Sequence, residues 1–305
     1  MQGGRLRPCI AALAAASLVL WSGQALAGSE PDPDTGDNNL GTAGGLRYSV
    51  DSEALNLDNH GYARAVAGCG PDDWHVVGGG EKISGPSAKH RMPSSTTPYD
   101  WYDGDAVPED GFSASGYGES EGKLKSFAIC RAEPVPDYPG GTVPDSPGSV
   151  RSFQQDCDPG DKVLGGGGLI GTSESFQSKS FPVDGADSND KADDAWAIRV
   201  YDTVGGIGGM TLRAICDDAD PAYRDETDKA AKHDSAGATA NCPAGTHVAG
   251  GGAAMNGPGE KVHLAGSYPI DDGDSGSHPD DGWKASAFNG TSDQHKLTAY
   301  AICLG

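Results

Sequence analysis

The tripeptide Ala-Ile-Cys occurs three times in the chain, and each time it closes a segment that another cysteine opens. The opening and closing cysteines are separated by 61, 59 and 61 residues, and they are Cys69 and Cys130, Cys157 and Cys216, and Cys242 and Cys303. Spacing this regular identifies three copies of one repeat of roughly 70 residues. The chain must therefore adopt a fold that builds one small unit three times.

Two further motifs keep the same register in every copy. An apolar pair followed by three glycines comes after each opening cysteine and predicts a strand that bends sharply or lets another backbone approach closely. A Ser/Thr-x-Pro element follows, and its proline precedes an aromatic residue at a constant spacing. The triplets are 78–80, 165–167 and 250–252, the prolines are Pro98, Pro182 and Pro269, and the aromatic residues are Phe112, Trp196 and Trp283.

The pattern before each closing cysteine is that of a strand, because every second residue is apolar or small, as at Leu124, Ser126 and Ala128. The aromatic residue opens a second strand, and a turn rich in Gly, Ser or Thr joins the two as a hairpin. With one strand before the triplet and one leading into the proline, each repeat holds about four antiparallel strands. We therefore predict an all-β fold of three homologous, disulfide-closed repeats, packed about a pseudo-threefold axis because a single small sheet buries too little apolar surface.

Composition alone argues against a stable core. Only 36% of the residues are hydrophobic and the formal net charge is −22, which is a combination typical of disordered chains. Disulfides offset this deficit, and pairing within each repeat is the most economical of the connectivities that the cysteines allow. Closing a loop of about 60 residues stabilises the fold by about 4 kcal/mol per bridge in the chain-entropy model.

The first 27 residues have the pattern of a secretory signal peptide, with Arg5 and Arg7 before an apolar run and Ala25-Leu26-Ala27 after it. We therefore expect a secreted, extracellular protein, and no later apolar stretch is long enough for membrane insertion. The predicted organisation is a signal peptide (1–27), a polar segment (28–60), repeats at 61–131, 149–217 and 238–305, and linkers at 132–148 and 218–237.

The series Cys, Gly-Gly-Gly, Trp and Ala-Ile-Cys, over residues 69 to 303, resembles repeats of bacterial secreted proteins that have no assigned activity. This resemblance implies export. More distantly, three Greek-key-like repeats look like the β-prism of vitelline-membrane outer-layer proteins, although that family's own motifs are not matched here. The analogy implies three sheets arranged with pseudo-threefold symmetry.

Two segments match serine-hydrolase motifs. Ser275 lies in a Gly-Asp-Ser-Gly segment like the nucleophile segment of chymotrypsin-like proteases, but no matching His segment precedes it. Ser120 lies in a Gly-x-Ser-x-Gly pattern, which requires a strand, a turn and a helix in an α/β sheet, whereas here it falls in a predicted hairpin turn. A secreted serine hydrolase is therefore the alternative to a non-catalytic protein.

Acidic residues fill the loop between the proline and the aromatic residue of each copy. They are interpreted either as a solvated loop that keeps the protein soluble or as a weak calcium site, since carboxylates supply the hard oxygen ligands that calcium prefers. The candidate calcium ligands are Asp100, Asp103, Asp105, Asp184, Asp187, Asp190, Asp271, Asp272 and Asp274. No other cofactor is expected.

Three aromatic residues have no aromatic equivalent in the other copies, and they are candidates for stacking on sugar rings: Trp74, Trp101 and Tyr102. A surface this acidic repels nucleic-acid phosphates and anionic lipid, so neither is expected as a partner. The predicted function is that of a secreted non-catalytic repeat protein, with carbohydrate or cell-surface binding as its concrete form, and with a glycan or a cationic surface as partner.

Overall fold

A computed structural model describes residues 38–55, 61–70, 73–85, 91–100, 107–118, 121–143, 148–170, 175–185, 191–202, 209–272 and 278–305. These residues belong to one compact unit and form strands and turns without a helix. The strands are β1 (Asn38–Ala43), β2 (Leu46–Ala54), β3 (Tyr62–Gly68), β4 (His75–Ser84), β5 (Arg91–Tyr99), β6 (Gly111–Gly118), β7 (Lys123–Arg131), β8 (Gly140–Val143), β9 (Ser149–Asp156), β10 (Lys162–Ile170), β11 (Ser175–Val183), β12 (Ala195–Asp202), β13 (Met210–Asp217), β14 (Ala222–Ala230), β15 (Asp234–Asn241), β16 (His247–Met255), β17 (Val262–Ile270), β18 (Gly282–Asn289) and β19 (His295–Leu304).

Each repeat contributes two half-sheets of three strands, to which repeat 1 adds the edge strand β1, and the half-sheets join across repeat boundaries. Sheet A has the order β1-β2-β7-β4-β17-β18-β15 and combines repeats 1 and 3. Sheet B, β3-β6-β5-β10-β13-β8, combines repeats 1 and 2, and sheet C, β14-β19-β16-β11-β12-β9, combines repeats 3 and 2. Every sheet therefore depends on two repeats, and every repeat belongs to two sheets.

The predicted all-β class and the three antiparallel, disulfide-closed repeats are confirmed, but repeats 2 and 3 have six strands each and repeat 1 has seven with β1, rather than about four. The predicted hairpin between the aromatic strand and the closing strand is wrong, because these consecutive strands lie in different sheets: β6 pairs with β3 and β5, whereas β7 pairs with β2 and β4. The additional strands include β2, β8 and β14, which lie in segments that composition had suggested were a polar tail and linkers. In β14 most residues between Arg224 and Lys229 are charged and all are exposed, because this strand pairs with β19 alone at the edge of sheet C. An edge strand of this kind has no alternating apolar face, and charges there discourage pairing with another molecule.

The first glycines of the three triplets meet at the pseudo-threefold axis. Cβ atoms built on Gly78, Gly165 and Gly250 would lie 2.2, 3.0 and 1.9 Å from a backbone carbonyl oxygen in the triplet strand of the preceding repeat, taken cyclically. The register of each triplet strand also shifts just before these glycines, as at a β-bulge. Both the bend and the close backbone approach that the triplet predicts are therefore present.

The second glycine of each triplet makes room for the aromatic residue of its own repeat. Cβ atoms built at these positions would lie 2.2, 2.5 and 2.4 Å from the rings of Phe112, Trp196 and Trp283, which are fully buried. Each of these rings lies directly opposite the proline of the Ser/Thr-x-Pro element in a hairpin. The constant spacing between proline and aromatic residue is therefore the length of a hairpin whose loop carries the acids.

Three tyrosine hydroxyls bond each repeat to the next. Tyr48, Tyr138 and Tyr223 donate to the carbonyl oxygens of Val248, Val76 and Val163, each at 2.8 Å. Burial raises the pKa of all three hydroxyls above the ordinary value, so they remain protonated donors. The accepting valines directly precede the bulges, so each hydroxyl satisfies a carbonyl at a point where the strand departs from regular pairing.

The disulfides join Cys69 to Cys130, Cys157 to Cys216 and Cys242 to Cys303, as predicted from the repeat symmetry. Each opening cysteine directly follows the outer strand of one half-sheet, which is β3, β9 or β15. The bridge joins it to the closing strand in the other half-sheet of the same repeat, which is β7, β13 or β19. Three such bonds are typical of a protein that folds in an oxidising environment. Within the described residues there is no helix long and apolar enough to cross a membrane.

One carboxyl group lies inside the core of repeat 1. Glu81 follows the glycine triplet of β4 at the position that Gly168 and Ala253 hold in the other repeats, and its side chain is only 2% exposed. Among the described residues, its Oε1 atom has no hydrogen-bond partner. Burial raises the pKa of Glu81 well above the ordinary value, so folding favours the neutral form of this group.

We expect Glu81 to make the protein less stable as the pH rises. The folded state binds the Glu81 proton more tightly than the unfolded chain does, so the free energy of unfolding falls above the ordinary Glu pKa of 4.5, by up to about 1.4 kcal/mol per pH unit. In Glu81→Gln this dependence disappears. Urea unfolding of both proteins between pH 5 and 8, taken as a difference so that the other titrating groups cancel, measures it. A difference that stays constant across this range contradicts the prediction.

Candidate binding surface

Trp74 lies beside a disulfide rather than on an open surface. The Arg47 guanidinium lies 4.1 Å from the centroid of the Trp74 ring, and Arg47 Nη1 donates to the carbonyl oxygen of Cys69 at 2.8 Å. The ring is partly buried and packs against the cluster that contains Cys69 and Cys130. In this position Trp74 shields one disulfide, and its ring is already engaged by a cation. Its sugar-stacking role remains a prediction.

Only part of the acidic loops is described. Asp184, Asp271 and Asp272 are exposed and Asp100 is half-buried. The described residues contain no group of three or more His, Cys, Asp or Glu side chains arranged to hold a metal ion. The calcium hypothesis therefore remains a prediction, as do the roles of the residues outside the described ranges, which are Trp101, Tyr102, Asp103, Asp105, Asp187, Asp190, Asp274, Ser120 and Ser275.

The acids at the base of these loops have structural partners. Asp194 and Asp281 accept hydrogen bonds from the backbone N–H of Gly185 at 3.1 Å and of Asp272 at 2.7 Å, which closes the loop. The preceding acid of each copy faces the first residue of the triplet strand, in the pairs Asp193 with Lys162 at 3.1 Å, Asp280 with His247 at 2.6 Å and Glu109 with His75 at 3.9 Å. These contacts hold the loop base in every repeat, so the acids nearest the sheet serve the fold.

The outer face of sheet A carries an aromatic pair that spans a glycine. Phe127 lies directly opposite Gly80 in the register of β7 and β4, and Tyr268 stands on the adjoining strand β17. The two rings stack with centroids 5.8 Å apart and an interplanar angle of 17°. A Cβ atom built on Gly80 would meet the carbonyl oxygen of Ser267, so glycine at this position lets β17, which carries Tyr268, approach β4 closely. Tyr268 remains partly exposed, whereas Phe127 is mostly covered.

The equivalent positions of sheet C carry a second aromatic pair. Tyr300 lies opposite Gly252, and the ring of Phe181 lies 5.4 Å from the ring of Tyr300 at an angle of 33°. Both rings are partly exposed. Sheet B differs, because the corresponding residues are Arg213 and Thr97 on either side of Gly167. Two of the three sheets therefore present aromatic surface at the same place on the outer face.

Lysine side chains surround the pair on sheet A. Lys82 Nζ lies 4.7 Å from the centroid of the Tyr268 ring, which is a cation–π distance. Lys125 lies directly opposite Lys82, and Lys284 lies directly opposite Tyr268. Cross-strand partners lie on the same face of a sheet, so the three ammonium groups share the surface with the two rings.

The pKa values of the two exposed tyrosines reflect their different neighbours. Burial raises the pKa of the Tyr268 hydroxyl, and the nearby positive charge of Lys284 partly opposes this. Burial also raises the pKa of Tyr300, and there the negative charge of Asp225 adds to the effect. The nearest charge is therefore a lysine beside Tyr268 and an aspartate beside Tyr300, although Lys179 Nζ lies 5.7 Å from the centroid of the Phe181 ring in the second pair.

The chain matches no protein-family model, and no curated protein shows significant similarity to it. Its function must therefore be argued from its own residues. The aromatic pairs lie inside the motifs that define the repeat. Phe127 and Tyr300 directly precede Ala-Ile-Cys, and Phe181 and Tyr268 are the middle residues of Ser-x-Pro. Sequence reasoning missed them because each pair combines residues from two different repeats.

Proposed function

We propose that this is an exported, non-catalytic binding protein that recognises carbohydrate on the outer faces of its sheets. The observation that carries the proposal is the aromatic pair spanning the third triplet glycine, which occurs at equivalent positions of sheets A and C. The C–H faces of a pyranose ring are apolar and its hydroxyls are polar. A partly exposed Tyr offers matching apolar surface together with a hydroxyl that forms hydrogen bonds.

The rigidity of the support favours binding at these pairs. Each ring stands on a central strand of a sheet that is paired on both sides, as with Tyr268 on β17 between β4 and β18. A ligand surface on a sheet loses little conformational entropy on binding, because its side chains are already held by cross-strand neighbours. Repetition on two sheets also allows one molecule to engage a polymer at more than one place, which raises avidity.

Export is the second part of the proposal. The three disulfides are consistent with it, since bonds of this kind persist in oxidising compartments. The signal-peptide pattern of residues 1–27, which lie outside the described ranges, supports the same conclusion. Detection of the mature chain with its bridges intact in the culture medium of an expressing bacterium tests it, and retention of the full-length chain inside the cell contradicts it.

We expect Tyr268→Ala and Tyr300→Ala each to weaken carbohydrate binding by about tenfold, since a lost aromatic contact of this size costs on the order of 1.4 kcal/mol. Binding of the purified, oxidised protein to an array of polysaccharides identifies the probe, and titration by fluorescence then measures both variants.

Tyr62→Ala is the matched control. Tyr62 forms an aromatic pair with Tyr117 at 5.2 Å, but at the end of sheet B and away from any triplet glycine. This variant is expected to bind within twofold of the unmodified protein. If no carbohydrate binds, or if all three variants bind equally well, the outer-face assignment is wrong.

A further inference from the structure

The outer face of sheet A is organised in two adjacent rows of side chains. One row contains Ser52, Lys125, Lys82, Gly266, Ser286 and Gly237. The other contains Val50, Phe127, Gly80, Tyr268, Lys284 and Thr239. Neither row includes an acid, although the chain has 44 acids against 22 Lys and Arg residues. The glycines and serines of these rows have short side chains, so the aromatic pair and the lysines are the groups that project farthest from this face.

The three lysines of this face have no counter-charge in the described structure. Lys82, Lys125 and Lys284 make no ion pair with any described acid, whereas Lys162 of the loop base pairs with two. Lys125 and Lys82 also stand directly opposite each other, an arrangement of like charges that destabilises a sheet. The fold alone therefore provides no reason for placing them there, and an anionic ligand does.

The buried acid of the same strand does not neutralise this face. Glu81 stands between Gly80 and Lys82, so alternation along β4 directs its side chain to the opposite face, into the core. Burial raises its pKa, which favours the uncharged form in the folded protein. Lys82 is thus the charged member of this part of the strand.

The net charge of −22 does not exclude an anionic ligand here. Most of the acids named above belong to the hairpin loops and their bases, and β14 carries others on sheet C. At physiological salt the Debye length is about 8 Å, so exposed charges farther away than this are largely screened. Charges in direct contact with the ligand act over shorter distances and dominate the local potential. The face of sheet A is therefore a positive area on an acidic protein.

We propose that the ligand of this face is an acidic polysaccharide, with its carboxylates on Lys82, Lys125 and Lys284 and a sugar ring against the Phe127–Tyr268 pair. This inference rests on the proposed carbohydrate function and specifies the class of carbohydrate. Lys82 and Lys284 stand two strands apart and two residues apart along the strand direction, which together give about 12 Å. That distance is comparable to a span of two to three sugar units in a pyranose polymer, so carboxylates repeated along one chain can reach both lysines.

The test measures the binding of fluorescently labelled oligogalacturonate to the oxidised protein. We expect Lys82→Gln/Lys284→Gln to bind at least about tenfold more weakly, because two charge-assisted contacts are lost. Lys229→Gln/Lys232→Gln is the matched control. It changes the net charge by the same amount at two exposed lysines of β14 and the following turn, and it is expected to bind within twofold of the unmodified protein. Circular dichroism confirms that both variants are folded.

Two competing probes separate the possible outcomes. If the methyl-esterified, uncharged oligomer binds as tightly as the acid form, carbohydrate binding stands and the acidic class is wrong. If inorganic polyphosphate binds as tightly and loses affinity in the same variant, the face is a general anion site and the sugar assignment is wrong. Equal weakening in both lysine pairs also overturns the proposal, because it shows an effect of net charge alone. Absence of binding to any polysaccharide removes the proposed function itself.

Discussion

Gly250→Ala is expected to lower the free energy of unfolding by more than about 3 kcal/mol. The new Cβ would lie 1.9 Å from the carbonyl oxygen of Leu164, and 3.1 Å from its carbonyl carbon. Both are backbone atoms of another sheet, so no side-chain rotation relieves the contact. Strands β16 and β10 would have to move apart at the pseudo-threefold axis, where the three triplet strands meet. Overpacking of this kind costs more than an ordinary core substitution.

Gly237→Ala is the control for this prediction. Gly237 also lies in a strand, β15, but a Cβ there would have its nearest neighbour at 3.7 Å, which is an ordinary contact. Replacing glycine by alanine at a compatible position restricts the unfolded chain, so this variant is expected to be as stable as the unmodified protein or up to about 1 kcal/mol more stable. Urea unfolding at one pH measures both variants. A Gly250→Ala protein within about 0.5 kcal/mol of the control would show that the triplets are not in contact at the axis.

The features that sequence predicted are those that repeat at constant spacing within one copy. The pairing of Cys69 with Cys130 lies inside a repeat, so the register of the three copies was sufficient to predict it. The constant spacing between Pro98 and Phe112 was also visible, but the hairpin was assigned to the wrong pair of strands, because alternation shows where a strand lies and not which sheet it joins. The glycine triplets were also interpretable, because three consecutive glycines in a strand have few other physical explanations.

The features that sequence did not predict depend on contacts between copies. The spacing of the motifs within a repeat is the same whether each repeat forms its own sheet or exchanges half-sheets with its neighbours. The exchange in sheets A, B and C therefore has no signature in the sequence. Tyr48, Tyr138 and Tyr223 perform one role and lie 21, 19 and 19 residues before the opening cysteines, but the polar segments around them share no other motif, so the sequence did not distinguish them from exposed tyrosines. The aromatic pairs were missed for the same reason, since Phe127 and Tyr268 belong to repeats 1 and 3.

Removal of one disulfide is expected to weaken the whole unit rather than one third of it. In Cys157→Ala/Cys216→Ala the bridge of repeat 2 is lost, and its sequence separation of 59 residues corresponds to about 4 kcal/mol in the chain-entropy model. Repeat 2 supplies half of sheet B and half of sheet C, so repeats 1 and 3 cannot keep their own half-sheets paired once it unfolds. We therefore expect a single calorimetric transition at a clearly lower temperature, with one cooperative unfolding step as in the unmodified protein.

The corresponding double variants of the other two bridges, Cys69→Ala/Cys130→Ala and Cys242→Ala/Cys303→Ala, are the matched controls, because their loops have nearly the same length. All three proteins should melt in one transition at similar temperatures. If the repeats were independent, each variant would show one weakened transition while the remaining repeats melted as before. Since each half-sheet is completed by a neighbouring repeat, a third of the molecule has no complete sheet of its own to retain. Two separated transitions in any one variant would therefore contradict the exchange of half-sheets on which both proposed binding faces depend.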